Sequence, residues 1–302
     1  MNDMFIPEIR VGEPVLCGVL EVFPLFSRRR TLFPDDLDYL LSDEAMTAGT
    51  CSVEETDFVS KLVVQNTGNK PVLFLEGEEV CGGRQNRVFR ASVLVGAGSR
   101  VTVPVFCVER KRWGGSSSSL TTGAHCPPSL RHVLKGGRSG TGIFRPFDGQ
   151  AVLWRLIAAK HRATATISEH ESMTDALRSH PEVVQKLRQT LKHTEGASGI
   201  EVVMSGKTVG IDLFDKPETL KKVWDRLVVL GLSLDAMDLG DTEASTSDLT
   251  VRLYRLRDVR WRRGESVVGM GEMFHARDDD GTLATALVVD DSIVHLSMSA
   301  PI

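Results

Sequence analysis

The sequence predicts an α+β protein, with mainly antiparallel β segments toward both ends and a helical region in the middle. Three observations support this prediction. Short apolar runs rich in Val, broken by glycine turns, dominate residues 61–113. Apolar residues recur with helical spacing at residues 147–163, 173–191 and 220–234. Alternating segments joined by Asp-Gly and Asp-Asp turns follow at residues 272–299. Strands, then helices, then strands are typical of α+β proteins.

The N-terminal third is predicted to consist of strands and one short helix. Residues 5–9 and 14–26 are predicted strands. Ser42 is predicted to cap a helix that ends at Gly49, and a strand follows at residues 51–55. The central strands are predicted at residues 62–64, 72–75, 88–95 and 101–108. Glycine turns between them favour antiparallel pairing.

Prolines and a two-residue turn divide the later part of the chain. Pro181 is predicted to interrupt the helical residues 173–191. Gly206-Lys207 is predicted to connect the two strands of a hairpin, and Pro217 to begin the next helix. A further helix or long strand is predicted over residues 249–259, where arginines alternate with apolar residues.

The chain divides into three stretches by composition. Residues 1–113 form a β-rich region that carries the polar motifs, and residues 114–146 form a basic loop rich in Gly and Ser. Residues 147–302 contain the helices and a C-terminal β meander. At 302 residues the chain can bury a large core, and we expect the first and last stretches to pack as one domain.

The basic loop differs from the rest of the chain in charge. Residues 110–145 contain seven Lys and Arg and no Asp or Glu, whereas the whole chain has a net charge of -4. A long loop without secondary structure is typical of a functional lid or a disordered insert. The local positive charge predicts an anionic partner, and a mobile, solvated loop is the alternative.

Composition excludes several classes of function. A net charge of -4 and a pI near 6.1 give no overall attraction to nucleic acid or membranes. No apolar run is long enough for a spanning helix, and the N-terminus does not resemble a secretory signal. The cysteines form no Cys-x-x-Cys pair, which argues against a thiolate zinc site and favours a reducing, cytoplasmic setting.

Three carboxylates at the ends of predicted strands are the candidate catalytic residues: Glu78, Glu79 and Glu109. Two carboxylates in adjacent turns of one sheet can share a proton or hold a divalent cation, and either arrangement can activate water. The cofactor is therefore open, with a divalent metal as one candidate. The alternative is a structural network with neighbouring arginines, namely Arg84, Arg87 and Arg112.

Amide, guanidinium and indole groups beside these acids are the candidate ligand-binding residues. Gln85, Asn86 and Arg87 offer donors suited to phosphate or carboxylate groups. Arg112 can bind phosphate, and Trp113 can stack on a base such as adenine. The alternative for Trp113 is an ordinary core indole.

These motifs also resemble a known but uncharacterised family, the ADP-ribosylglycohydrolase- and rhodanese-phosphatase-associated protein domain. The similar positions are Gly77-Glu78-Glu79, Gln85-Asn86-Arg87, Pro104, Cys107-Val108-Glu109 and Arg112-Trp113. Weaker similarity continues at Gln150 to Trp154, Gly210 to Phe214, Gly269 to Glu272 and His295. The resemblance implies a connection with ADP-ribose chemistry.

Together, the residues and the resemblance give one leading hypothesis and two alternatives. The chain binds or processes an ADP-ribose, NAD-derived or other phosphorylated small molecule. Alternatively, it senses such an anion without catalysis, or it is a protein-interaction module whose polar residues stabilise the sheet. The oligomeric state is open, a homo-oligomer included.

Overall fold

The computed structural model describes residues 6–27, 37–114, 120–136, 146–239, 259–264 and 268–301. The chain forms two compact units. The first unit comprises residues 1–37, 182–267 and 271–302, and the second comprises residues 38–181 and 268–270. Residues 1–37 thus belong to the same unit as the C-terminal strands. The expectation that residues 1–113 and 147–302 pack as one domain stays a prediction.

The strands occur in both the first and the last part of the chain. In chain order they are β1 (Ile9–Val11), β2 (Val15–Cys17), β3 (Leu20–Ser27), β4 (Leu40–Leu41), β5 (Cys51–Glu55), β6 (Lys61–Asn66), β7 (Val72–Phe74), β8 (Glu78–Cys81), β9 (Arg87–Phe89), β10 (Val93–Val95), β11 (Arg100–Cys107), β12 (Thr121–His125), β13 (Gly199–Met204), β14 (Lys207–Phe214), β15 (Arg262–Arg263), β16 (Glu272–Arg277), β17 (Leu283–Val289) and β18 (Ser292–Ser299).

The helices lie mainly in the middle of the chain. They are α1 (Ser42–Thr47), α2 (Pro128–Gly136), α3 (Pro146–Ala163), α4 (Asp175–Ser179), α5 (Pro181–Thr190), α6 (Pro217–Trp224) and α7 (Gly231–Leu239). A π-helical segment, Asp225–Leu230, joins the last two. Together with the antiparallel sheets, these helices confirm the predicted α+β class.

In the first unit the described strands form one nine-stranded antiparallel sheet. Its order is β1–β3–β13–β14–β18–β17–β16–β15, with β2 beside β3. The predicted C-terminal meander is confirmed, since β16, β17 and β18 pair in succession. Pro181 and Pro217 begin α5 and α6, because proline fits the first turn of a helix but not its interior.

In the second unit the described strands form two smaller sheets, and these carry the candidate site. One has the order β12–β8–β9–β11–β6–β5, and the other β10–β7–β4. A cluster of buried apolar side chains packs between them, including Val64, Phe74, Phe89 and Val103. The rings of Phe74 and Phe89 stack with centroids 4.8 Å apart. This core holds the ends of β8, β9 and β11 in fixed positions.

Several local predictions are wrong. Ser42 is the first residue of α1 and does not cap it, since Leu41 stands before the helix. The predicted strand 88–95 is two strands, β9 and β10. The predicted loop 114–146 contains β12 and α2. Of the segment predicted at residues 249–259, all but the last residue lies outside the described residues.

No helix within the described residues is long and apolar enough to span a membrane. All five cysteines carry free thiols.

Candidate functional site

The candidate site begins at β8, where two adjacent glutamates point in opposite directions. Side chains alternate between the faces of a strand, so neighbours such as Glu78 and Glu79 cannot meet. The Ser42 hydroxyl donates to Oε1 of Glu78, and the backbone N–H of Leu75 donates to its Oε2 at 3.0 Å. Glu79 instead faces Asn86 and β12. A catalytic role for Glu78 stays a prediction.

Glu79 is a fully buried carboxyl group whose ionisation is disfavoured. Its Oε2 accepts from the backbone N–H of Ala124 at 3.2 Å, and its Oε1 accepts from Nδ2 of Asn86 at 3.3 Å. Burial raises the pKa of Glu79 to about 7, although these bonds and the charge of Arg178 oppose the rise. A carboxyl group with this pKa exchanges a proton near neutral pH.

A glycine on the neighbouring strand gives this carboxyl group its space. A Cβ at Gly123 would lie 2.6 Å from Oε2 of Glu79 and 2.5 Å from Sγ of Cys81. Both distances are shorter than a non-bonded carbon contact allows. Any larger residue at position 123 would therefore displace Glu79 or Cys81.

Glu109 and Arg112 form a close ion pair at the end of β11. Arg112 donates through Nε to Oε1 of Glu109 at 2.9 Å and through a terminal nitrogen to Oε2 at 2.7 Å. The same guanidinium donates to Oδ1 of Asn86 at 3.0 Å and to the carbonyl oxygen of Gly83 at 2.7 Å. Glu109 also accepts from the backbone N–H of Asn86 at 2.9 Å. Asn86 thus links the ion pair to Glu79.

Arg87 lies apart from this network. Its pairing with Val80 places it on the face of the sheet opposite Glu79. Its Nε donates to the carbonyl oxygen of Val59 at 3.0 Å, and its terminal nitrogens contact the carbonyl oxygen of Gln85 and a carboxylate oxygen of Glu55. Burial lowers the pKa of the Arg87 guanidinium. Arg87 is 1% exposed, and these contacts bind its guanidinium to the chain itself.

Trp113 is exposed beyond the end of this network. Its exposed fraction is 59%, so it is not the core indole that was the alternative. An exposed indole next to Arg112 is available for stacking on a flat ligand.

Two residues that the sequence did not single out complete the site. Cys81 shares the face of β8 with Glu79 and is half-buried. Burial and the neighbouring Glu79 carboxylate raise the pKa of the Cys81 thiol, while Arg178 opposes the rise. Arg178 is exposed, pairs with Asp175 at 2.9 Å, and comes from α4. The sequence offers no signal that links residue 178 to β8, since their proximity depends on tertiary packing.

The basic segment contributes less positive charge to the surface than its sequence predicts. Arg131 and Lys135 of α2 are buried, and both pair with the buried carboxylate of Glu76. Their charges are therefore compensated inside the second unit. Arg110 and Lys111 also pair with an acid, Glu171, at 3.5 Å and 2.8 Å. Of the seven basic residues, Arg112 also pairs with an acid, Glu109, and Arg138 and Arg145 lie outside the described residues.

A metal centre does not arise from the carboxylates of the network. Across the described ranges, no group of three or more His, Cys, Asp and Glu side chains is placed to hold a metal ion. A cofactor for this chain stays open.

The site can bind and transfer protons. Glu79 can accept or donate a proton near neutral pH, and Asn86 fixes its orientation. The charge of Arg178 acts on both Glu79 and Cys81, and Arg112 interacts electrostatically with Cys81. A buried acid with a perturbed pKa and charged neighbours is typical of a functional site.

Comparison with known proteins identifies one family. One family model, described as the ARG and Rhodanese-Phosphatase-superfamily-associated Protein domain, matches residues 8–299. No curated protein and no solved structure is similar enough to this chain to count as a match. The family is associated with ADP-ribosylglycohydrolase and rhodanese-phosphatase proteins. Since the match spans nearly the whole sequence, the chain belongs to the ARG and Rhodanese-Phosphatase-superfamily-associated Protein domain family.

Proposed function

We propose that the second unit binds a phosphorylated small molecule of the ADP-ribose or NAD-derived class and that Glu79 transfers a proton during its hydrolysis. The observation that carries this proposal is the fully buried Glu79 carboxyl group with a pKa raised to about 7. Catalytic acids and bases need a pKa near the working pH, and enzymes raise the pKa of glutamate by burial for this purpose.

The arginines supply the recognition of phosphate. A guanidinium carries five N–H donors, and within the described residues Arg112 uses four of them, on Glu109, Asn86 and Gly83. Its orientation is therefore fixed while its side chain keeps 22% exposure. Arg178 is exposed and adds a second positive charge near Cys81. A phosphate group placed between them would gain charge-assisted hydrogen bonds.

The proposed step uses water as the nucleophile. Glu79 in its carboxylate form accepts a proton from water, and the water oxygen bonds to the substrate atom that carries the leaving group. As the bond to the leaving group breaks, Glu79 returns the proton to it. Asn86 donates to the carboxylate and holds it in position. In this proposal the indole of Trp113, which is 59% exposed, stacks on the base of a nucleotide substrate.

The test is turnover and binding of ADP-ribose, nicotinamide mononucleotide and ribose 5-phosphate by matched variants. Glu79→Gln should abolish turnover and keep binding, whereas Glu54→Gln at an exposed ion pair should change neither. Arg178→Ala should weaken binding at least threefold. Arg100 is also an exposed, ion-paired arginine, and Arg100→Ala should leave binding unchanged. Unchanged turnover in Glu79→Gln would refute the catalytic part of the proposal.

A non-catalytic sensor is the second candidate, and one observation favours it. Glu109, Asn86 and Arg112 are bonded to one another, so the network resembles a rigid binding surface more than a reactive centre. Calorimetric binding of a phosphorylated ligand without product formation would establish this candidate. The protein-interaction module and the cytoplasmic setting stay predictions.

A further inference from the structure

Two buried polar atoms in the second unit lack hydrogen-bond partners. Among the described residues, Oε1 of Gln85 and Nε1 of Trp154 are buried and accept or donate no hydrogen bond. Gln85 as a whole is fully buried. An unsatisfied buried polar group costs about 1–3 kcal/mol, so each such group calls for an explanation such as an absent water or ligand.

Each of the two atoms has one hydrogen-bonding role, either as donor or as acceptor. Nε2 of Gln85 donates to the carbonyl oxygen of Arg110 at 3.4 Å, and only the NH₂ end of an amide can donate. The free atom of Gln85 is therefore the acceptor. The indole Nε1–H of Trp154 is a donor only. The pair thus offers one acceptor and one donor.

Both side chains flank residue 110. The Gln85 amide contacts the backbone of Arg110, and the Arg110 guanidinium carbon lies 5.9 Å from the centroid of the Trp154 ring. One turn before Trp154 on α3, Gln150 exchanges two hydrogen bonds with the backbone of Cys107, at 2.8 Å and 2.7 Å. These bonds fix α3 against the end of β11. Gln85 is also directly next to Asn86 of the acid network.

We propose that Gln85 and Trp154 recognise the part of the ligand that carries a hydrogen-bond donor beside an acceptor. This inference rests on the proposed function and names the specificity of that same site. The donor of the ligand binds Oε1 of Gln85, and its acceptor binds Nε1–H of Trp154. Water satisfies both atoms before the ligand replaces it.

A donor beside an acceptor has two sources among nucleotide derivatives. Adenine offers its amino group beside a ring nitrogen, and the carboxamide of nicotinamide offers an N–H beside a carbonyl oxygen. Each source has a matched analogue without the pattern. On the edge that carries N7, hypoxanthine replaces the amino donor of adenine by a carbonyl acceptor and keeps the N7 acceptor. Nicotinate replaces the amide by a carboxylate that only accepts. A site built to bond a donor discriminates strongly against an analogue that lacks it.

The experiment compares affinities by calorimetry on the full chain. The probes are ADP-ribose and its hypoxanthine analogue, nicotinamide mononucleotide and nicotinate mononucleotide, and ribose 5-phosphate, which has no base. In the wild-type protein, we expect the two probes of one matched pair, either adenine with hypoxanthine or nicotinamide with nicotinate, to differ at least tenfold in affinity. Both members of each pair keep an acceptor, so the ratio reports the donor that binds Oε1 of Gln85. Gln85→Met removes that oxygen and should reduce the ratio to about one. Trp154→Phe keeps the ring and removes the N–H, so it should weaken both members of the pair alike.

The control removes an indole N–H elsewhere. Trp224 of the first unit donates its Nε1–H to the carbonyl oxygen of Leu191 at 3.1 Å, and Trp224→Phe should keep the wild-type affinities and the wild-type ratio. Because each ratio is measured within one variant, a loss of stability does not imitate the result. Equal affinities within both pairs, an unchanged ratio in Gln85→Met, or unchanged affinities in Trp154→Phe would overturn this inference, while binding of ribose 5-phosphate leaves the proposed function standing. If no phosphorylated probe binds, both proposals fail.

Discussion

The raised pKa of Glu79 predicts a pH dependence of stability that one substitution should remove. A carboxyl group whose pKa is higher in the folded state holds its proton where the unfolded chain has already lost it. Between pH 4.5 and about 7 the unfolded state therefore binds fewer protons, and the free energy of unfolding falls as the pH rises. Below pH 4.5 the group costs nothing, and above about pH 7 the full cost is present.

The magnitude follows from the pKa difference. The pKa of Glu79 rises from 4.5 to about 7, and one pKa unit corresponds to 1.36 kcal/mol. The expected loss of stability over this window is about 3 kcal/mol. Glu79→Gln keeps the shape of the protonated side chain and cannot ionise, so it should lack this component.

Urea unfolding of both proteins between pH 4 and pH 8 measures the effect. The free energy of unfolding of Glu79→Gln, relative to the wild-type protein, should rise by about 3 kcal/mol from the low to the high end. Glu54→Gln, at a partly exposed glutamate, should follow the wild-type profile. Parallel profiles for the wild-type protein and Glu79→Gln would refute the argument that burial keeps this carboxyl group protonated.

Two further predictions concern the structure around Glu79. In a double-mutant cycle of Glu109→Ala and Arg112→Ala, urea unfolding should give a coupling energy of about 2–3 kcal/mol, because the pair is bidentate and Glu109 is buried. Gly123→Ala should lower the free energy of unfolding by about 1–3 kcal/mol, because its Cβ would lie 2.6 Å from the Glu79 carboxylate. Gly114 has open space around it, so Gly114→Ala should leave the free energy of unfolding unchanged. Thermal or urea unfolding measures both variants.

Each of these two predictions would be contradicted by a specific result. The exposed pair of Glu54 and Arg100 has a similar distance of 2.8 Å and should couple by less than about 1 kcal/mol. A coupling no larger than this between Glu109 and Arg112 would mean that their contact contributes nothing specific. An unchanged stability of Gly123→Ala would show that the strand β12 can move away from Glu79.

Much of the fold could be predicted because its signals are local. Pro181 and Pro217 mark helix starts through their own backbone restrictions. The Asp-Gly and Asp-Asp turns determine the C-terminal meander, and the apolar runs determine most strands. The break in the predicted strand 88–95 was missed, since no proline or glycine marks it.

The candidate site could be predicted only in part, because its contacts are distant in sequence. Glu79, Asn86, Glu109 and Arg112 were expected to lie together and do so, since the strands that carry them are neighbours. Successive side chains of a strand point to opposite faces of the sheet, so the sequence alone could have shown that Glu78 and Glu79 do not share a face.

Other contacts depend on packing between elements that the sequence does not pair. Ser42 reaches Glu78 across 36 positions, and Lys135 reaches Glu76 across 59. Arg178 approaches β8 from α4. The burial of Arg87, expected as a ligand-binding residue, likewise follows from the partners Val59 and Glu55 that no local pattern identifies.

The most direct test of the account is an NMR titration of ADP-ribose into the isotopically labelled full chain. The account predicts chemical-shift changes at Gly123, which lies against Glu79 and Cys81, at Gly82 and Gly83, which are bonded to Asn86 and Arg112, and at the indole N–H of Trp113. Saturable changes at these positions, absent in Arg178→Ala and present in Arg100→Ala, would support an anion site in the second unit. Shifts confined to residues of the first unit, or no shifts at millimolar ADP-ribose, would contradict it.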